Sequence, residues 1–296
     1  PGASAYGVFE MGMNHAGEIA ALTAQVRPHV AVITTIAPAH IENLGSEEAI
    51  ADAKAEIFSG LMPGGTAVIP IDSVHFARLR DAALKAGAKV LSFGKAKEAD
   101  VRLLDAVPSA NGGSLVTAAL GERRLCYTVA EPGEHWIANS LAVMGAVFAA
   151  GGDLGATGLA LAEMGGLKGR GARHRIAVPG GHALLIDESY NANPASMRAT
   201  LAQLGHTPAS RRIAVLGSMK ELGDFAPGFH AQLAEPLCEA QVDFAILVGP
   251  EMLALARELG KGGHNTLGKP LGFAHCEGPG EAIGALGEGG RVGRDA

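Results

Sequence analysis

Short runs rich in β-forming residues recur between helical stretches along most of this chain, and that rhythm restricts the fold more than any other feature. Residues 8–10 (Val-Phe-Glu), 30–36, 67–71 and 89–93 are such runs, and helical patterns separate most of them. Strands that alternate with helices pair in parallel, because each helix carries the chain back to the same end of the sheet. From residue 100 to 128 the rhythm changes. Runs at 101–104, 115–120 and 124–129 follow one another through turns such as Asn111-Gly112-Gly113, which predicts antiparallel strands. Helices are expected over 137–149 and 154–164, and the glycine- and arginine-rich stretch 165–175 reads as a linker. Strands at 183–186, 212–216 and 244–248, with helices at 194–204, 230–240 and 252–259, then restart the α/β rhythm. The expectation is an α/β protein of two domains, residues 1–175 and 176–296.

Length and charge agree with that reading. A chain of 296 residues can bury two cores, and 48% apolar with 18% charged residues suits a soluble globular protein. A net charge of -6 argues against a nucleic-acid partner, which calls for a basic patch. Cys126, Cys238 and Cys276 are far apart and odd in number, so neither a disulfide framework nor a zinc knuckle is indicated. A reducing compartment, the cytoplasm, is expected, with no membrane insertion, because no apolar run is long enough to span a bilayer. The chain begins with Pro1 and runs straight into an expected strand, which suggests a piece of a longer protein.

The residues that carry chemistry cluster at expected strand ends. Residues 187–194 read Asp-Glu-Ser-Tyr-Asn-Ala-Asn-Pro. They pack acid, hydroxyl and amide groups where a strand hands over to a helix, the ligand-binding edge of an open α/β sheet. Pro194 suits a first helical turn. Glu10 closes the first run and His40 follows the second. A carboxylate there can reach a hard cation such as magnesium, or the two can be an ordinary turn acid and loop histidine. Ser46 reads as an N-cap, with Glu47 and Glu48 in the first turn behind it. On the helix that follows, Ile50, Lys54, Ile57, Phe58 and Leu61 share one face. Burial disfavours the charge on Lys54 and lowers its pKa, and a neutral amine can take up carbon dioxide as a carbamate. The competing reading is a lysine snorkelling off the stripe. Asn139, at a helix start, can read a base edge or satisfy backbone groups. Arg170, with Arg173 and Arg175 nearby, offers donors for phosphate or a solvated hinge. Asn191 and Asn193 suit ligand contact or a turn and cap.

Taken in order, Glu10-Met11-Gly12, Ala39-His40, Ala53-Lys54-Ala55-Glu56-Ile57-Phe58 and the 187–194 block resemble the MurF-type Mur ligases. The resemblance implies a central ATPase domain of P-loop type, a parallel sheet truncated at its N-terminus, followed by a Rossmann-like and incomplete C-terminal domain. It implies an ATP-dependent ligase of peptidoglycan precursor synthesis, one that adds D-alanyl-D-alanine to UDP-MurNAc-tripeptide through an acyl phosphate. ATP and magnesium are the implied cofactors, those two substrates the implied partners, and a monomer the implied state. By the same resemblance Glu10, His40 and a carbamylated Lys54 bind magnesium, with His40 and Lys54 catalytic. Asn139 reads adenine, in a stretch similar to the family's His-Asn-x-x-Asn element where Trp136 replaces the first Asn. Arg170 faces the phosphates, Asp187 or Glu188 holds the ribose, and Tyr190, Asn191 and Asn193 meet substrate. Residues 216–223 are similar to a further family segment, with Ser218 in place of its acid, and His230 becomes a candidate substrate contact. No G-x-x-x-x-G-K-[ST] loop occurs in these residues, and the resemblance places it upstream of Pro1. A sister ligase adding another amino acid and a non-catalytic nucleotide- or precursor-binding relic are the alternatives. Tyr190-Asn191-Ala192-Asn193-Pro194 speaks against the sister.

Overall fold

The computed structural model describes residues 4–38, 41–109, 113–165, 168–178, 181–262 and 268–289, and the chain divides into two compact units, Pro1–Gly165 and Gly166–Ala296. Six strands form the sheet of the first: β1 (Val30–Val32), β2 (Thr66–Pro70), β3 (Lys89–Gly94), β4 (Val101–Pro108), β5 (Ser114–Leu120) and β6 (Arg123–Val129), in that spatial order. As the rhythm of the sequence predicts, β1, β2 and β3 are parallel, and β4, β5 and β6 form an antiparallel meander. Asn111 and Gly112 of the expected turn lie outside the described residues.

The sheet changes character between β3 and β4, which pair in parallel only at Phe93↔Val101 and Gly94↔Arg102. The end of one strand meets the start of the next, so residues 95–100 connect them without the helical crossover a full parallel pair requires. Two carboxylates hold this corner. Asp100 accepts from the Ser92 N–H and hydroxyl, both at 2.7 Å, while its own N–H donates to the Ser92 Oγ at 3.1 Å. Asp72 accepts from the backbone of Lys95 at 2.6 Å and of Ala96 at 3.1 Å. Position 94 must be glycine here, since its φ is 152° and a Cβ would collide with the Asp72 carboxylate.

Both faces of the sheet are covered, which fits its parallel half. Side chains alternate along β2, as strand geometry demands. Val68 joins Phe93, Val101, Leu141 and Met144 on the face covered by helix Glu134–Ala149. Ala67 and Ile69 join Ala31, Phe58 and Leu79 on the other, under helices Glu47–Ala55 and Phe76–Lys85. Each large side chain buried this way contributes about 1.5–3 kcal/mol.

Residues 8–10 form no strand. Val8 is 98% and Phe9 64% exposed, and β propensity without a partner ladder does not make a strand. The N-terminal segment is anchored farther on, at helix Glu18–Val26. The Glu56 carboxylate accepts from Gly17 N at 2.7 Å and Ala20 N at 3.1 Å there, filling donors that a helix start leaves open.

The second unit holds a hairpin, β7 (Ala172–Val178) with β8 (Gly181–Asp187), and a parallel sheet ordered β11-β10-β9 from β9 (Ile213–Gly217), β10 (Phe244–Val248) and β11 (Gly272–Cys276). The stretch expected as a linker is therefore partly β7, and the division falls ahead of it because β7 pairs with β8. The helix expected over 230–240 is two, Ala226–Ala231 and Ala234–Glu239. Pro236 explains the break, since it cannot donate to the carbonyl four residues back and its ring crowds that group. Among the described residues no helix is long and apolar enough to cross a membrane.

Candidate functional site

Lys54 sits as its spacing predicts. Ser46 caps its helix, accepting from the Ala49 N–H at 3.2 Å, and the turn through Phe58 tightens into a 3-10 helix, Glu56–Gly60. This places the Lys54 side chain half-buried, with its Nζ donating to the Thr35 carbonyl at 3.0 Å. Thr35 lies just past β1, so the amine is held at the carboxyl end of a parallel strand. Burial lowers its pKa from 10.5, the condition under which an amine becomes nucleophilic toward carbon dioxide. Glu10 is exposed, and its carboxylate has no partner among the described residues. His40 lies outside the described residues. No group of three His, Cys, Asp or Glu side chains among the described residues could hold a metal. The donors that remain, a free carboxylate and a lysine convertible to a carbamate, are oxygen ligands of the kind magnesium takes.

Asn139 lies inside helix Glu134–Ala149, on the wall of a pocket. Trp136, Asn139 and Val143 stand at i, i+3 and i+7, one face of that helix. Val129, at the end of β6, and Leu161 and Met164 enclose the opposite side. The floor is stiffened from below, where Ser140 donates to the Ile137 carbonyl at 2.7 Å and hydrogen-bonds the buried Tyr127 hydroxyl at 3.0 Å. Burial pushes the Tyr127 phenol up to about 12, so it stays protonated. His135 stands 5.7 Å, centroid to centroid, from Trp136, and burial lowers its pKa from 6.5. The Asn139 amide makes no hydrogen bond to a described residue. The lining is thus mainly apolar, with the Asn139 amide, the Ser140 hydroxyl and the buried Glu131 carboxylate as its polar groups. Sequence reading missed the pocket: the helical spacing from Trp136 to Val143 was there to be read, but Val129, Leu161 and Met164 come from outside that helix.

In the second unit two separated motifs interlock. Asp187 Oδ2 accepts from the Gly169 N–H at 3.1 Å, the Asp187 carbonyl from Gly171 N at 2.9 Å, and the Gly169 carbonyl from Tyr190 N at 3.0 Å. Gly169 has φ +74°, and a Cβ there would come within 3.0 Å of the Tyr190 backbone. The Arg170 guanidinium lies 4.2 Å from the centroid of the exposed Tyr190 ring. Stacking fixes its plane and leaves its N–H edges outward. Asp187 Oδ1 accepts from the Ser189 hydroxyl at 2.6 Å and N–H at 3.1 Å, and chiefly these bonds hold its carboxyl below the usual range. Glu188, next to it, is half-buried. Arg173 and Arg175 are exposed on β7.

The asparagines have local work. Asn193 is the N-cap of helix Pro194–His206, in a reciprocal capping box with Ser196 at 2.9 and 3.0 Å, and Asn191 Oδ1 accepts from Ala192 N at 2.8 Å. In each the hydrogen bond to a described residue is made by Oδ1, not by the amide NH2. His230 is fully buried. Its Nε2 accepts from the Met219 N–H at 3.0 Å, and its Nδ1 donates to the Ala226 carbonyl at 2.7 Å. Both nitrogens are committed, so His230 fixes the loop after β9. Lys220, in that loop, pairs with Glu251 at 2.6 Å and is the main reason Glu251 titrates at about 2.

Residues 2–147 match the Mur ligase middle domain, and residues 173–288 match the Mur ligase, glutamate ligase domain. The UDP-N-acetylmuramoyl-tripeptide–D-alanyl-D-alanine ligase of Escherichia coli is 33% identical over 88% of this chain and 56% of its own length. The enzyme of the same name from Synechocystis is 32% identical over 88% of the chain and 54% of its length. A crystal structure of MurF from Acinetobacter baumannii superposes with a TM-score of 0.82 at 28% identity, covering 96% of this chain and 58% of that one. The chain spans about half the length of the curated relatives it matches. With both of its units accounted for in this way, the chain belongs to the Mur ligase family, and within it to the MurF type.

Proposed function

We propose that the protein carrying this chain is an ATP-dependent ligase that joins D-alanyl-D-alanine to UDP-MurNAc-tripeptide in the cytoplasm, acting as a monomer. One observation carries the reading: MurF relatives align across both units, over 88% of the chain. In the first step the tripeptide's terminal carboxylate attacks the γ-phosphorus of ATP, and ADP leaves. The dipeptide's amine then attacks the acyl carbon, phosphate departs, and the amine loses a proton.

Each part of the geometry has a place in that sequence. Glu10, Lys54 as its carbamate, and His40 would hold magnesium, which supplies charge neutralisation for phosphoryl transfer. Lys54 supports this role because its amine is half-buried, depressed in pKa and held beside the end of β1. Asn139 reads the adenine edge from the pocket wall. Arg170 is preset on Tyr190 for the phosphates, and Asp187 or Glu188 takes the ribose hydroxyls. Tyr190, Asn191 and Asn193 face the peptide substrates, the asparagines through amide groups that capping and turn bonds leave over.

The test is to incubate the protein that carries this chain with ATP, magnesium, UDP-MurNAc-tripeptide and a panel of amine acceptors. ADP, phosphate and UDP-MurNAc-pentapeptide are expected with D-alanyl-D-alanine. Preference for a single amino acid would make it a sister ligase. Precursor binding without ADP formation would make it a binding protein.

A further inference from the structure

We propose that Trp136 is the stacking wall of the pocket in the first unit, on which an adenine base lies. The inference rests on the nucleotide-binding reading above and adds a base-stacking residue to it. Trp136 and Asn139 stand one helical turn apart on the same face of helix Glu134–Ala149, both bordering the pocket, with Val129, Leu161 and Met164 across from them. A purine is a flat aromatic plate with a polar edge, and the lining of this pocket offers an aromatic face and polar groups to meet both. The indole offers a broad π-surface, and aliphatic side chains close the opposite side. Indole–base stacking is indifferent to sequence, so the choice of base falls to the edge.

Asn139 provides that choice. Its amide offers one donor group and one acceptor, matching the amino group and adjacent ring nitrogen of adenine. Guanine presents two acceptors on the corresponding edge. No hydrogen bond to a described residue competes for the amide. The His135 ring stands 5.7 Å from Trp136, tilted by 44°, and the indole packs against the core. Burial favours the neutral form of that imidazole, so no charge from it adds to the wall. Among the described residues, every one that lines the pocket lies between positions 129 and 164.

Trp136 is the only tryptophan in the sequence, so its fluorescence reports the pocket directly. The 296-residue chain is titrated with adenosine, guanosine and uridine, following indole emission and, in parallel, calorimetry. Saturable quenching by adenosine is expected, with much weaker responses to the other two. Trp136→Leu, which keeps apolar bulk, should weaken adenosine binding roughly 5- to 150-fold, the range for losing one base–aromatic stack. Trp136→Phe, which keeps a ring, should retain most of the affinity. A packing role alone would not separate the two variants. Should the leucine variant fail to fold, the wild-type emission and the phenylalanine variant decide the matter. If adenosine binds by calorimetry while indole emission stays constant and Trp136→Leu binds normally, the stacking wall is wrong and the pocket stands. If adenosine does not bind, or Asn139→Ala binds it unchanged, the nucleotide reading of the pocket falls as well.

Discussion

Replacing His230 with leucine should weaken the second unit without altering substrate affinity in the protein that remains folded. The imidazole is fully buried, and Met219, whose N–H it accepts, is itself 1% exposed, so water cannot substitute. Leucine fills similar space, which keeps the cavity contribution small. A stranded buried N–H costs about 1–3 kcal/mol, and losing the second hydrogen bond, to Ala226, costs about 0.5–1.5 more. The sum is about 1.5–4.5 kcal/mol. With a urea dependence of about 2 kcal/mol per molar, the unfolding midpoint should fall by about 1–2 M. The melt is followed by far-UV circular dichroism, with Trp136 emission reporting the first unit as an internal reference. His230→Gln, which can offer an acceptor and a donor in one side chain, should recover part of the loss. An unchanged midpoint together with a raised KM for D-alanyl-D-alanine would show that the histidine is a substrate contact after all.

Gln203 is 6% exposed, with neither Oε1 nor Nε2 hydrogen-bonded to a described residue, so Gln203→Met should stabilise the second unit by about 1–3 kcal/mol. A lower melting temperature would mean that the amide is satisfied in solution. Gly169→Ala should destabilise the clamp by about 1–2 kcal/mol from the left-handed backbone alone. It should also loosen Tyr190, measurable as faster amide exchange at residues 187–190, and unchanged exchange would contradict the interlock. Lys54 gives a pH dependence of definite sign. Its folded pKa lies below the ordinary 10.5, so between the two values the unfolded chain holds a proton the folded chain has released. Wild type should therefore gain stability relative to Lys54→Met as pH rises through that interval. Urea midpoints with equal slopes against pH for both proteins would refute the burial of the amine.

What could be read in advance was what depends on near neighbours. The Ser46 cap and the apolar stripe around Lys54 are encoded within three or four residues of each position, and both stand as the spacing implied. The switch from parallel to antiparallel strands was legible for the same reason, since turns and alternation are local. Val8 and Phe9 have the composition of a strand, but strand formation depends on a partner elsewhere in the chain. β7 lacks a buried face, so its first residues, 172–175, read as part of a glycine- and arginine-rich linker. Nothing near Gly169 announces that it packs on Tyr190, and nothing near His230 announces that both its nitrogens are taken. Both are long-range facts. Asn193 lay between the two cases: the same side chain suits a cap or a ligand, and the fold uses it as a cap.

The corner between β3 and β4 also bears on the order in which the first unit assembles. Along the meander Val101 pairs with Leu120 and Leu120 with Arg123, whereas Val30 must find Thr66 across an intervening helical segment. Closing the shorter loops loses less chain entropy. We expect β4–β6 to pair first, with Asp100 already in position to capture Ser92 and so recruit β3, after which the parallel strands add in turn toward β1. Pulse-labelled amide exchange during refolding would then protect Val116 and Ala118 before Ala31, and the reverse order would place the nucleus in the parallel half.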